Sequence, residues 1–333
     1  MKRFLIVQTA FIGDVILATS IIEKIHIHYP DAKIDFILRK GNEGLFINHP
    51  FINQVFIWDK KNGKFKNLIN LILELRKTKY SYLINLQRFA SSGLITFFSK
   101  AECKIGFDKN PFSFFFNKKI IHQIGNGRHE IERNQQTIKN ITDDIALKPK
   151  LYPSNEHVLR VISIHEKYQV KENFYYCLAP ASIWFTKQFP EHKWVELIKL
   201  LDSENGIFLL GGHTDFDLCQ RIIDKSKVAC INLSGKIGFL ESAELMKNAK
   251  MNFVNDSAPL HLCSAVNAPV TAIYCSTIPE FGFGPLSDNS TIIQINETLA
   301  CRPCGLHGYK SCPKSDFKCG NNISIKDFLK FNN

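Results

Sequence analysis

The sequence has no apolar run of about 18 residues, the length that a membrane-spanning helix needs. No GxGxxG follows the first apolar segment, which disfavours the usual dinucleotide fold. No GxxxxGK followed by Ser or Thr occurs, which sets aside the P-loop nucleotidases. Low-complexity tracts and short-period repeats are missing too. Acidic residues are in short supply: 31 Asp and Glu face 42 Lys and Arg, a net charge of +11. An anionic partner is therefore favoured over a cationic one, be it a nucleotide, a nucleic acid or an acidic lipid surface. With 45% hydrophobic and 22% charged residues, the chain is neither disordered nor fibrous. Its 333 residues fit about two domains, each able to bury a core.

The amino-terminal stretch MKRFLIVQTAFIGDVILATS imitates a secretion signal through Lys2, Arg3 and the apolar residues after them. Gln8 and Asp14 interrupt it, and no clear small-residue cleavage site follows. It reads instead as a buried strand, a short loop and a helix, in a cytoplasmic protein. Cys103, Cys177, Cys219, Cys230, Cys263 and Cys275 are scattered through apolar segments and read as reduced core residues.

Apolar runs of strand length alternate with helical periodicity, the pattern of parallel sheets with crossover helices. The first half predicts strands at Phe4–Gln8, Ile34–Leu38, Gln54–Trp58, Tyr82–Asn85 and Cys103–Gly106, with helices at Val15–His28, Phe65–Thr78 and Glu130–Ile141. The polar stretch Thr142–Lys171, with Pro149 and Pro153, reads as a linker region. The pattern then restarts, with strands at Tyr175–Ala179, Ile207–Leu210, Ala229–Asn232, Met251–Val254 and Val270–Tyr274. Helices are expected at Glu191–Leu201, Phe216–Lys225, Glu241–Asn248 and Leu260–Val266. The expectation is an α/β protein of two doubly wound domains facing each other across a cleft. Ligands of such sheets sit beyond the carboxyl ends of the strands, so the loops after strands are where chemistry belongs.

After the first strand, Gly13 permits a tight turn and Asp14 opens a helix. A carboxylate there can take a proton from an attacking hydroxyl. Asp is equally a favoured helix N-cap, and the two roles are compatible. In the second half, Ser182, Thr186 and Lys187 lie in one loop before Pro190; a hydroxyl and an ammonium there suit a phosphate, although a surface lysine is commonly only solvated. Asn255-Asp256-Ser257-Ala258-Pro259 leads from a strand into a helix carrying His261. Pro near the first helical position costs no hydrogen bond, and the free amides of such an end favour an anion. Asp256 can accept from a sugar hydroxyl and His261 can donate to a phosphate; the plainer reading is a capped helix with a packed histidine. Gly211-Gly212 form another loop after a strand, which permits close backbone approach.

Cys301, Cys304, Cys312 and Cys319 cluster late in the chain. Four thiolates can hold a structural zinc, but the second pair is not a close CxxC; reduced thiols and two disulfides stay open as alternatives. Lys100, Lys104, Lys109, Lys118, Lys119 and Arg128 outnumber Glu102 and Asp108 around Pro111-Phe112-Ser113-Phe114-Phe115-Phe116. That mixture suits an anionic membrane surface, single-stranded nucleic acid, or a buried Phe-rich strand with a solvated basic rim.

The order of these motifs resembles glycosyltransferase family 9, the lipopolysaccharide heptosyltransferases, and more their second-heptose members. The matching pieces run through nearly the whole chain. They are Gly13-Asp14, Leu86-Gln87, Lys104-Ile105-Gly106-Phe107-Asp108, His129-Glu130-Ile131-Glu132-Arg133, Thr186-Lys187-Gln188-Phe189-Pro190, Asn232-Leu233-Ser234-Gly235-Lys236, Asn255-Asp256-Ser257 with His261, and the late CxPC. Ala258 stands where the family has Gly, and the Gly212 loop lacks the acidic residue expected near Thr214, although Asp215 and Asp217 are close. The resemblance implies a GT-B fold, with an acceptor-binding domain over residues 1–158 and a nucleotide-sugar domain over 159–333. The latter would carry the cysteine-rich tail and a terminal helix able to pack back on the first domain. It implies inverting sugar transfer without metal or cofactor, from ADP-heptose to a lipid A–Kdo/heptose acceptor at the cytoplasmic face of the inner membrane, with no nucleic acid partner. Asp14 then matches the general base; Ser182, Thr186, Lys187, Gly212, Asp256, Ser257, Ala258 and His261 match donor contacts; Gly13, Arg88, Arg128 and Arg133 fall on the acceptor side. A family member with another nucleotide sugar, a sugar-nucleotide epimerase and a non-catalytic module for acidic lipid or nucleic acid are the competing readings.

Overall fold

The computed structural model describes residues 1–201 and 206–329 and divides into two compact units, Met1–Tyr152 and Pro153–Asn333. The first unit contains β1 (Arg3–Val7), α1 (Ile12–His28), β2 (Lys33–Arg39), β3 (Ile52–Trp58), α2 (Lys64–Leu75), β4 (Tyr80–Asn85), α3 (Ala90–Phe98), β5 (Ala101–Phe107), β6 (Lys118–Ile120) and α4 (Glu130–Gln135). Its strands pair in parallel in the order β3-β2-β1-β4-β5-β6. Phe4, Leu5, Ile6 and Val7 are all fully buried, because a parallel sheet covered on both faces needs continuous apolar strands.

The second unit contains α5 (Asn155–Tyr168), β7 (Tyr175–Ala179), α6 (Glu191–Leu200), β8 (Gly206–Leu209), α7 (Phe216–Ser226), β9 (Ile231–Asn232), α8 (Phe239–Lys247), β10 (Met251–Asn255), α9 (Ala258–Val266), β11 (Val270–Tyr274) and β12 (Ser290–Gln294). Its order, β9-β8-β7-β10-β11-β12, repeats the first sheet's winding. Each sheet therefore reverses direction beside its first strand, between β1 and β4 and between β7 and β10. Among the described residues no helix is long and apolar enough to cross a membrane.

Four of the elements named above escape the sequence reading. β6 and β12 are edge strands, β6 only three residues long and carrying two lysines, as protected edges are. Helix α3 begins Ala-Ser-Ser-Gly, whose two serines and glycine are weak helix formers, and is held by burial of Ile95 and Thr96. Helix α5 lies inside the stretch read as linker. Only Val161 and Ile164 of it are buried, so its apolar stripe is too thin to stand out. The second unit starts at Pro153, and a boundary at 158/159 would cut through this helix.

The described tail packs into the second unit's own core. Ile323, Ile325 and Phe328 join Trp194 and Phe253, and the Phe328 ring lies 5.6 Å from Phe189. Of the six scattered cysteines, Cys177, Cys219, Cys263 and Cys275 are buried, while Cys103 and Cys230 are half-buried. The Phe-rich segment is not a buried strand. Ser113–Phe115 form a 3-10 turn in which Phe114 and Phe115 are exposed, and Phe116 alone of the three is buried.

Candidate active site

The switch point of a doubly wound sheet leaves a crevice at the strands' carboxyl ends. In the first unit it falls after β1 and β4, where the buried side chains of Gln8 and Gln87 hydrogen-bond to each other. The N-cap of α1 is Phe11, so Asp14 is not the capping residue. It sits half-buried in the first turn, where the helix dipole favours its negative charge. Gly13 lies in that turn as well, and so does not form a separate tight turn.

Two cations that the sequence reading missed stand beside this loop. Burial lowers the pKa of Arg39, and the charge of Asp14 opposes that shift, which puts the two within electrostatic reach. The Arg39 guanidinium also lies 4.6 Å from the Phe11 ring centroid. Lys60 Nζ donates to the Thr9 carbonyl at 2.6 Å and to Thr9 Oγ1 at 3.1 Å. Burial, followed by the like charges of Arg39 and Lys64, brings the Lys60 pKa down to about 8. The signal for both was available: Arg39 ends β2 and Lys60 follows β3, so both occupy the carboxyl edge.

The three arginines expected on the acceptor side fare differently. Arg133 is buried, its Nε 2.7 Å from Glu130 Oε2, and it also donates to the Arg128 carbonyl. It is engaged within the fold by these two contacts. Arg88 is half-buried near His122, whose pKa falls to about 4 through burial first and then the charges of Arg88 and Arg133. Arg128 is exposed.

In the second unit, Asn255 at the end of β10 stitches the switch point together. It accepts from the Phe189 amide at 2.9 Å and donates to the Pro180 carbonyl at 2.7 Å. This brings the loop carrying Ser182 and Lys187 against the start of α9. Lys187 Nζ lies 2.7 Å from Asp256 Oδ2, and Thr277 Oγ1 donates to the same oxygen at 2.6 Å. Ser182 is half-buried, and its carbonyl accepts from Gln188. Ser257 is the N-cap of α9, and Ala258 and Pro259 open the helix. Ala258 is helical, so no left-handed backbone is required where the family has Gly. His261 is buried with its ring 6.4 Å from Phe283. Gly212 is exposed, and its amide donates to Asp215 Oδ2 at 2.8 Å, so an acid does serve this loop.

Thr186 has a different place from the expected donor contact. It is 1% exposed, and its hydroxyl accepts from the Tyr309 amide at 2.8 Å and from Ser276 Oγ at 2.9 Å. It ties the cysteine-rich tail to the Lys187 loop. Arg302, which the sequence reading left aside, does similar work: its guanidinium donates to the carbonyls of Cys275 and Thr277 and to Gln294. All four tail cysteines are free thiols lining a cavity of about 220 Å³ with Thr186 and Tyr309. Burial raises the Cys319 thiol to about 12 and pushes Cys304 up as well. Among the described residues no three His, Cys, Asp or Glu side chains are placed to hold a metal ion.

Known proteins share this fold. The model of glycosyltransferase family 9 (heptosyltransferase) matches residues 68–308. Lipopolysaccharide heptosyltransferase 1 of Campylobacter coli is 25% identical over 348 residues, covering 98% of this chain and 97% of that protein. The crystal structure of a family 9 glycosyltransferase from Veillonella parvula superposes with a TM-score of 0.85 at 18% identity, covering 99% of this chain and 95% of that one. The Escherichia coli ADP-heptose lps heptosyltransferase II gives 0.76 at 20% identity, with 98% and 100% covered. A family match over most of the length, on two doubly wound sheets of the same winding, makes the chain a member of glycosyltransferase family 9 and a sugar-transferring enzyme of GT-B fold.

Proposed function

We propose that this enzyme moves a heptose from ADP-heptose to the lipid A–Kdo/heptose inner core of lipopolysaccharide, with inversion and without a metal, at the cytoplasmic face of the inner membrane. The observation that carries the reading is the division of groups between the switch points. A carboxylate flanked by cations stands at one, and a lysine held by an acid beside a helix start stands at the other. Asp14 takes the proton of the acceptor hydroxyl as its oxygen bonds to the anomeric carbon. The bond from that carbon to the diphosphate breaks with its electron pair leaving on ADP. Lys187 and the first amides of α9 stabilise the charge that develops there. Arg39 and Lys60 give the acceptor side a positive field suited to carboxylate or phosphate groups.

The test is incubation of the purified protein with ADP-heptose and Kdo-bearing lipid A, with ADP release and the anomeric configuration of the product followed by NMR. Inverted product formed only when both substrates are present supports the reading. A retained configuration, or conversion of the donor with no acceptor, as an epimerase would give, overturns it.

A further inference from the structure

Helix α3 and the 3-10 turn Ser113–Phe115 meet in the first unit and build a cluster of phenylalanine rings. The Phe97 ring centroid lies 4.1 Å from that of Phe115, tilted, and 4.8 Å from that of Phe98, edge-on, and Phe115 lies 4.2 Å from Phe114. Gly93 allows this meeting: a Cβ there would come within 2.8 Å of Phe112 Cβ and would strike Asn110. Three of the rings face outward, with Phe114 63%, Phe115 42% and Phe98 42% exposed. A cluster of bulky rings turned to water is costly and marks a contact surface.

Its surroundings say what kind. Lys104 Nζ donates to the Phe97 carbonyl at 2.7 Å and Arg76 Nη1 to the Phe98 carbonyl at 2.9 Å, so two cations are fixed at the helix end beneath the rings. Lys109 and Lys119 are exposed on the adjoining turn and edge strand. The cations outnumber the two acids in residues 100–128. Glu102 is paired with Lys79 at 2.8 Å, and Asp108 accepts from the His122 amide at 2.9 Å. Rings that can sink into the boundary of head groups and acyl chains, surrounded by cations matched to negative head groups, are the physical requirements for shallow membrane attachment.

We propose that Phe98, Phe114 and Phe115, with Arg76, Lys104, Lys109 and Lys119 around them, form the surface by which this enzyme docks on an anionic phospholipid bilayer. The proposal deepens the reading that the acceptor is a lipid, and it has a readout separate from sugar transfer. The full chain is floated with vesicles of phosphatidylglycerol and phosphatidylethanolamine, and in parallel with pure phosphatidylcholine. The expected result is flotation with the anionic vesicles, lost at high salt, and weakened roughly tenfold or more by Phe114→Ser with Phe115→Ser. Phe114→Trp should show a blue-shifted emission on the same vesicles, which a merely misfolded variant would not. The double variant's far-ultraviolet circular dichroism and Tm, compared with the parent's, check that the first unit is folded. Equal flotation of the double variant and the parent overturns the proposal. So does unshifted emission of Phe114→Trp, or a single-stranded oligonucleotide whose binding needs these rings when vesicle binding does not. If vesicles bind as expected but no heptose is transferred, the docking surface stands and the proposed reaction fails.

Discussion

Lys187 Nζ and Thr277 Oγ1 converge on one oxygen, Asp256 Oδ2, at 2.7 and 2.6 Å. Asp256 therefore holds the ammonium in place at the mouth of α9 instead of leaving it to sample solvent. In the proposed reaction this ammonium contacts the donor diphosphate, so removing it should cost donor affinity. Lys187→Ala is expected to weaken ADP binding about 10- to 100-fold in calorimetry, and Asp256→Asn to weaken it less. Unchanged affinity in Lys187→Ala would remove this residue from the donor site.

Asp14→Asn keeps the shape of the first turn of α1 but cannot accept a proton. A fall in kcat of about 10²- to 10⁴-fold is expected, because general base catalysis contributes on that scale. Donor affinity measured on the same variant should move by less than a few fold. Near-normal turnover with the true acceptor would discard the base assignment.

Lys60 supplies a pH dependence. Its pKa is lowered to about 8, chiefly by burial, so it is an ammonium below that pH and neutral above it. The acceptor KM is accordingly expected to rise as pH passes upward through about 8, while a Lys60→Met enzyme starts with the higher KM and stays level. The effect on stability has the opposite sign. Between about 8 and the ordinary lysine range the unfolded chain binds more protons than the folded one, so this residue adds stability as pH rises through that window. An acceptor KM that ignores pH in the parent enzyme would contradict an electrostatic role.

Gly308 has φ +75°, and a Cβ on it would lie 2.8 Å from Thr186 Oγ1 and 3.1 Å from Lys187 Cγ. Gly308→Ala is expected to cost about 1–3 kcal/mol from the left-handed backbone, with crowding in addition. A lowered Tm accompanied by weaker ADP binding is the expected pair of results. A lowered Tm with unaltered binding would mean that the tail does not position Lys187.

The alternating pattern made the two sheets legible because buried parallel strands such as Phe4–Val7 and Tyr175–Ala179 carry unbroken apolar side chains. The loops bearing Asp14, Lys187 and Asp256 could be found from strand ends alone. Burial of individual polar groups could not. Arg133 and Thr186 look in sequence like ligand contacts, and only packing shows one spent on Glu130 and the other on Tyr309. Helix α5 was hidden by its polar surface, and α3 by its serines and glycine. Arg39 needed an exact strand end: β2 runs one residue further than the apolar count, and that residue is the arginine, whereas Lys60 lies two residues past a strand end placed correctly at Trp58.

The knot between Thr186, Ser276 and Tyr309 bears on how the protein can be cut or fused. An expression design that trims the cysteine-bearing segment as dispensable would remove Arg302, Tyr309 and Phe328 together. It would open a hole beside Phe189 and Phe253 and release the loop that carries Lys187. Such a shortened chain should first reveal itself as unstable in purification, well before any assay of turnover.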